Sequence, residues 1–140
     1  MKKDVILTIA SVQRFGDEAP ERTELVTEGT LCIAPDAVEL SYAESELTGL
    51  EGTTTTFRIE KEQTVLVRRG AVESRMVFAT GREEQSLYDM GFGALMIAVR
   101  AEKIESTIGE NGGRLEVSYA IAIEDETAGS ITYRIDVRPK

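Results

Sequence analysis

The 140-residue sequence predicts an all-β fold, in which a single antiparallel meander closes into a barrel of about eight to ten strands. Three observations support this prediction. Apolar and polar residues alternate through much of the chain, turn-forming residues interrupt the alternation at short intervals, and no segment has a capped apolar stripe with helical spacing. The best helical candidate, Glu83–Met90, spans at most a turn or two and could equally be a loop. The length suits one domain that covers residues 1–140.

The alternation is clearest in four segments, 5–9, 38–42, 115–123 and 131–137. Successive side chains of a strand point to opposite faces, so an apolar residue at every second position indicates a strand with one buried face. The first of these segments also resembles the start of a secretory signal. Its apolar stretch is short and is followed by Arg14 without a cleavage site, so we interpret it as a strand.

The strongest turn signal is the pair Asn111–Gly112, because a type I′ turn requires positive φ at both central residues. This turn would place Ile104 and Ile108 on the inner face of the preceding strand. The apolar residues at 95–99 in that strand have the opposite parity, so we predict a β-bulge between Val99 and Ile104. The predicted register has four pairs: Ile108 with Leu115, Ile104 with Tyr119, Glu102 with Ile121, and Arg100 with Ile123.

A second turn is predicted at Arg69–Gly70, where a hairpin would pair Val67 with Val72 and Val65 with Ser74. This register divides the meander into an inner and an outer face. The inner face would hold Phe57, Ile59, Val65, Val67, Val72, Met76 and Phe78, and the outer face Leu66, Arg68, Glu73 and Arg75.

Acidic residues outnumber basic residues by 25 to 16, which gives a formal net charge of −9. Nucleic acids and anionic lipid surfaces bind proteins largely through cationic contacts, so neither is an expected partner. No stretch approaches the roughly 20 apolar residues that a membrane-spanning helix needs. We expect a monomer or homodimer that binds neither nucleic acid nor membrane.

The sequence contains no histidine and a single cysteine, Cys32. Histidine-based triads, imidazole acid–base catalysis, and metal sites built on histidine or on several thiolates are therefore excluded. Cys32 is interpreted as a packing residue of a strand. A chain without a disulfide suits a reducing compartment, and we expect a cytoplasmic protein without a metal, a cofactor or catalytic residues. An enzymatic interpretation would require two carboxylates that converge in the barrel interior.

Several segments resemble a family of uncharacterised bacterial proteins, the YwiB-like domain of unknown function, over nearly the whole chain and in the same order. The resemblance rests on Val38–Glu44, Thr54–Ile59, Leu66–Gly70, Tyr88 followed by Gly91–Gly93, and Gly113–Tyr119. It implies a cytoplasmic, calycin-like β-barrel that holds a ligand inside, as lipocalin-like barrels do, and it brings no catalytic residues. Ser74 stands where the family implies a larger apolar residue, which would leave extra room in this barrel.

A cluster of polar residues is predicted to face the interior. The predicted register directs Arg100 and Glu102 towards the side of Tyr119, unless the bulge turns them outward, and Tyr42 and Arg69 lie at strand ends with inward parity. Such a cluster could bind a small polar or anionic molecule, or it could be a salt-bridge network in which buried charges satisfy each other. The candidate ligand-binding residues are Tyr42, Arg69, Tyr88, Arg100, Glu102 and Tyr119.

Two functions from different classes therefore stay open. The first is a binding module for a small molecule, with a cavity in the barrel and a few polar groups at one mouth. The second is a protein-interaction or accessory module without a ligand, which would use the acidic exterior or an exposed strand edge.

Overall fold

The computed structural model describes residues 2–46, 50–89, 94–123 and 126–140, with the backbone alone at 87–89, 94–95 and 126–127. Most of the described chain is β-strand. The described strands are β1 (Lys2–Phe15), β2 (Glu21–Ile33), β3 (Ala37–Ala43), β4 (Thr53–Glu60), β5 (Thr64–Gly70), β6 (Glu73–Phe78), β7 (Glu83–Asp89), β8 (Ala94–Ser106), β9 (Gly113–Ile123) and β10 (Glu126–Pro139).

These strands form one antiparallel sheet in which each strand pairs with its neighbours in the chain and β1 pairs with β10. The β1–β10 pairing runs from Val5 and Pro139 to Phe15 and Gly129, so a long ladder closes the sheet. The predicted fold class, an up-and-down barrel of eight to ten strands, is confirmed. Within the described ranges, no helix has the length and hydrophobicity needed to cross a membrane.

The helical candidate at Glu83–Met90 is wrong, because its described part forms β7. This strand pairs with β8 along its whole length, from Glu83 and Arg100 to Asp89 and Ala94. Backbone hydrogen bonds to a neighbouring strand outweigh the weak helical preference of so short a segment. Met90 itself lies outside the described residues.

The predicted β-bulge in β8 is confirmed. The register between β8 and β9 shifts between Ala101 and Lys103, inside the predicted interval from Val99 to Ile104. One extra residue inverts the faces of all positions beyond it. As a result Arg100 and Glu102 are exposed, and their predicted position on the inner face is wrong.

The turn that joins β8 to β9 lies one residue earlier than predicted. Gly109 and Gly112 exchange two backbone hydrogen bonds, so the central residues are Glu110 and Asn111. Gly112 adopts a φ of 98°, and a side chain there would lie 2.2 Å from the carbonyl oxygen of Val137. The four predicted pairs are therefore wrong, and the observed pairs are Ser106 with Leu115, Ile104 with Val117, Ala101 with Tyr119, Val99 with Ile121, and Ile97 with Ile123.

The hairpin between β5 and β6 is also displaced, because β5 continues through Gly70. Gly70 has a φ of 119°, and a side chain there would lie 2.2 Å from the carbonyl oxygen of Gly52. Val65 consequently pairs with Val77 and not with Ser74. The register is displaced by an odd number of residues, which exchanges the inner and outer faces of β5. The predicted outward position is wrong for Leu66 and Arg68, which are buried, whereas the predicted burial of Phe57, Met76 and Phe78 is confirmed.

The barrel wall is weakly paired at two places. β2 and β3 share only the four residue pairs from Thr30–Ser41 to Ile33–Val38. β6 and β7 share only two, Glu73–Asp89 and Ser74–Tyr88. The gap beside β2 lies next to the polar part of the interior described below.

Candidate functional site

The interior of the barrel divides into an apolar part and a polar part. The apolar part contains fully buried side chains from most strands, such as Leu7, Leu40, Leu66 and Val117. Further along the same strands, the inward positions become polar. The buried polar or phenolic side chains of this part include Ser11, Tyr42, Glu44, Thr53, Thr55, Arg68, Ser74 and Tyr133.

An aromatic layer contributes to the core beside the polar residues. Tyr133 contacts Phe57 edge-on, with ring centroids 5.9 Å apart, and stacks on Tyr119 at 6.4 Å. Tyr119 in turn packs against Phe78 at 4.5 Å. These contacts fix the ring of Tyr133 and thereby the position of its hydroxyl group.

Arg68 on β5 is buried, with only 6% of its surface exposed. Its Nη2 donates a hydrogen bond of 2.9 Å to the hydroxyl oxygen of Tyr133 on β10. This bond joins β5 to β10 through the interior. Because the oxygen of Tyr133 accepts from Arg68, the hydroxyl hydrogen of Tyr133 is left to donate to another group.

Glu44 follows the last residue of β3 and is 8% exposed. The hydroxyl of Thr55 donates a hydrogen bond of 3.1 Å to Glu44 Oε1. Burial raises the pKa of Tyr42 well above its ordinary value, and the charge of Glu44 and a hydrogen bond to it act in the same direction. Tyr42 therefore remains protonated and serves as a hydrogen-bond donor.

A small cavity of about 60 Å³ lies in the polar part of the interior. Such a volume holds about two water molecules. Its described lining comes from β1, β2, β3, β10 and the segment after β3, and consists of Ile9, Ser11, Gln13, Thr23, Leu25, Tyr42, Glu44, Leu50 and Tyr133.

The structure brings together only part of the predicted site. Tyr42 lines the cavity, and Tyr119 is buried in the aromatic layer beneath it. Arg69 is exposed and not inward as predicted, because of the displaced β5–β6 hairpin; Arg100 and Glu102 are exposed because of the bulge. The side chain of Tyr88 lies outside the described part of the structure. Whether these residues bind a ligand stays a prediction.

The residues of the polar part that were missed from the sequence include Glu44, Arg68 and Tyr133, although a signal existed for two of these three. Tyr133 shares the parity of the apolar residues Ile131 and Ile135, and Glu44 continues the inward parity of Tyr42. Arg68 had no correct signal, because its face depends on the register of the hairpin that follows it.

The described lining of the cavity contains one carboxylate, Glu44. A two-carboxylate hydrolase needs a second carboxyl group across the reacting bond, and the described lining does not supply it. Within the described residues, no group of three His, Cys, Asp or Glu side chains is placed to hold a metal ion.

Comparisons with known proteins agree with this fold. A family model described as a domain of unknown function (DUF1934) matches residues 7–135. The chain is 27% identical over 127 residues to the uncharacterized β-barrel protein YwiB of Bacillus subtilis (strain 168), which covers 90% of this chain and 88% of that protein. It also superposes on the crystal structure of the ywiB protein from Bacillus subtilis with a TM-score of 0.87 and 24% identity, covering 99% of this chain and 93% of that one. The predicted resemblance is confirmed.

Proposed function

The chain belongs to the DUF1934 family, a domain of unknown function, and we propose that it binds a small polar molecule in the polar part of its barrel. The observation that carries the proposal is the cavity of about 60 Å³ lined by Tyr42, Glu44 and Tyr133. Buried polar groups that surround an internal cavity are the usual setting in which a small ligand or ordered water is held.

The lining offers complementary hydrogen-bonding groups. The hydroxyl of Tyr133 can donate into the cavity because its oxygen already accepts from Arg68. The carboxylate of Glu44 accepts from Thr55 through one oxygen and keeps further acceptor capacity. A ligand with one donor and one acceptor, and no more than about four non-hydrogen atoms, would satisfy both ends of this arrangement.

The proposal extends to a calycin-like use of the fold and to a cytoplasmic location. An apolar plug at one end of the interior and a polar cavity near a gap in the wall suit a barrel that holds a ligand inside. The location rests on composition alone, namely one cysteine and therefore no internal disulfide.

We expect small polar molecules such as ethylene glycol to shift the amide NMR signals of Ser11, Tyr42 and Glu44 in the full-length chain. A ligand present at a hundredfold excess over its Kd should also stabilise the fold by about 2.7 kcal/mol. The variant Ser11→Leu extends a larger side chain into the cavity and should abolish these shifts, whereas Ser130→Leu, on the exterior, should preserve them.

Overpacking at Ser11 could itself weaken the fold, so Thr23→Leu, at a half-buried lining position, provides a second test of the same cavity. The proposal would be overturned if none of the polar compounds bound to saturation. It would also be overturned if both leucine variants still bound them.

A second candidate function, self-association through a strand edge, is favoured by one feature of β2. Among the described residues, positions 21–29 of β2 pair with β1 on one side and with no strand on the other. The exterior of this edge carries Arg22, Glu24, Val26 and Glu28, and Val26 is 58% exposed. A free strand edge is a template for pairing with another chain.

Two copies could pair antiparallel about Leu25, in a two-fold symmetric arrangement. Arg22 of each copy would then face Glu28 of the other, and Glu24 would lie opposite Val26. Glu28 also contacts Lys140 at 2.9 Å within the chain, so it would share its charge between two cations.

Sedimentation analysis should then show a dimer. The variant Arg22→Glu should dissociate this dimer, and the charge exchange Arg22→Glu/Glu28→Arg should restore it. The variant Arg75→Glu, which changes an exposed arginine on β6, should leave the dimer intact. A protein that remains monomeric at every accessible concentration would contradict this second candidate.

A further inference from the structure

The charges around the cavity suggest the class of its ligand. Glu44 is the charged side chain among the described lining residues, and it is 8% exposed. Burial strengthens the field of a charge because little solvent screens it. A carboxylate in this position attracts a cation and repels an anion.

The positive charge of Arg68 would disfavour a cationic ligand, because Arg68 lies in the same half of the interior. Its guanidinium is not part of the described lining and donates a hydrogen bond to the Tyr133 oxygen. Both charges act on Tyr42, where Glu44 raises the pKa more strongly than Arg68 lowers it. Of the two charges, Glu44 is the one that belongs to the described lining of the cavity.

The aromatic lining acts in the same direction. Tyr42 and Tyr133 both line the cavity. The π electrons of an aromatic ring attract cations, and the attraction is stronger at sites removed from solvent. One face of the Tyr133 ring is stacked on Tyr119, so the carboxylate of Glu44 and the phenolic side chain of Tyr42 are the groups suited to an organic ammonium ion.

A crevice on the outer side of the barrel wall reaches the same tyrosine. It has a volume of about 310 Å³, lies where β2 and β3 separate, and is lined by Asp4, Glu28, Gly29 and Tyr42. Glu28 is paired with Lys140, so one acidic charge is in excess. Gly29 contributes no side chain, and a Cβ there would lie 2.7 Å from the carbonyl oxygen of Ser41.

From the one buried carboxylate among the described residues, the phenolic side chains beside it and the acidic crevice that reaches Tyr42, we infer that the ligand is a small organic ammonium ion bound through Glu44. This inference rests on the proposed function, and it goes further by assigning the charge of the ligand. The net charge of −9 favours the approach of a cation over that of an anion.

Three probes of nearly equal size separate the charge of the ligand from its polarity. Ethanolamine is a cation at neutral pH, ethylene glycol is neutral, and glycolate is an anion. Titrated into the full-length protein at constant ionic strength and followed by NMR, ethanolamine should bind about tenfold more tightly than ethylene glycol, and glycolate should bind most weakly.

The variant Glu44→Gln keeps an acceptor for Thr55 and removes the charge. It should lower the affinity for ethanolamine about tenfold and leave that for ethylene glycol nearly unchanged. Glu62→Gln makes the same charge change in the turn after β4 and should preserve the preference. If ethylene glycol or glycolate binds as tightly as ethanolamine, the inference fails while the proposed function stands. If none of the three binds, both fail.

Discussion

Replacing Phe57 with alanine should lower the free energy of unfolding by about 3–5 kcal/mol, because the ring is fully buried and its removal leaves a cavity. Phe57 pairs with Leu40 on β3 and with Leu66 on β5, and both neighbours are also fully buried. The loss includes the edge-on contact with Tyr133, which is worth about 0.5–1.5 kcal/mol.

The measurement is urea unfolding followed by circular dichroism. The midpoint should fall without a change in the slope, since a change in slope would indicate a different folded or unfolded state. Met96→Ala removes a side chain that is 53% exposed and should change stability by less than about 0.5 kcal/mol. Equal effects of the two substitutions would show that Phe57 is not at the centre of a packed interior.

The fold could be predicted because alternation depends on neighbouring residues alone. The inward positions of Tyr42 and Tyr119 follow from the apolar residues two places away on the same strand. The bulge was predictable for the same reason. Two apolar sets of opposite parity, one ending at Val99 and one containing Ile104, cannot both face the interior of an unbroken strand.

The register of the hairpins was not predictable in this way, because contacts distant in sequence decide it. β5 extends to Gly70, which lies so close to the carbonyl of Gly52 that a side chain would not fit. The local turn signal at Arg69–Gly70 carries no information about that contact. Because the register of this hairpin is displaced by an odd number of residues, Arg68 is buried and Arg69 is exposed, the reverse of the prediction.

The candidate site could be predicted only in part, since its members come from distant parts of the chain. Arg68 and Tyr133 form a hydrogen bond across 65 positions of sequence. No spacing rule connects such a pair, and only the closure of the barrel brings β5 and β10 to face each other. The sequence identified the interior as the place of the site and Tyr42 as one member. Arg68 and Glu44, the charged residues, were found from the structure.

Replacing Arg68 with methionine should destabilise the fold by about 3–5 kcal/mol, although the methionine side chain replaces most of the buried aliphatic part of the arginine. The substitution removes the hydrogen bond to Tyr133 and leaves the buried Glu44 without the positive charge of Arg68. A buried carboxylate is costly when no opposite charge remains in the same interior, because the interior cannot solvate it. Arg69→Met provides a matched control in the adjacent position, and the exposed Arg69 should tolerate it within about 0.5 kcal/mol.

The double variant Arg68→Met/Glu44→Gln tests whether charge is the cause. Removing both charges should cost less than the sum of the two single changes, by about 0.5–3 kcal/mol, since each single change leaves the other charge uncompensated. Additive effects would show that Arg68 acts through packing and the Tyr133 hydrogen bond alone. If Arg68→Met were no more costly than Arg69→Met, Arg68 would not lie in the barrel interior, because an exposed arginine in β5 would contribute little to stability.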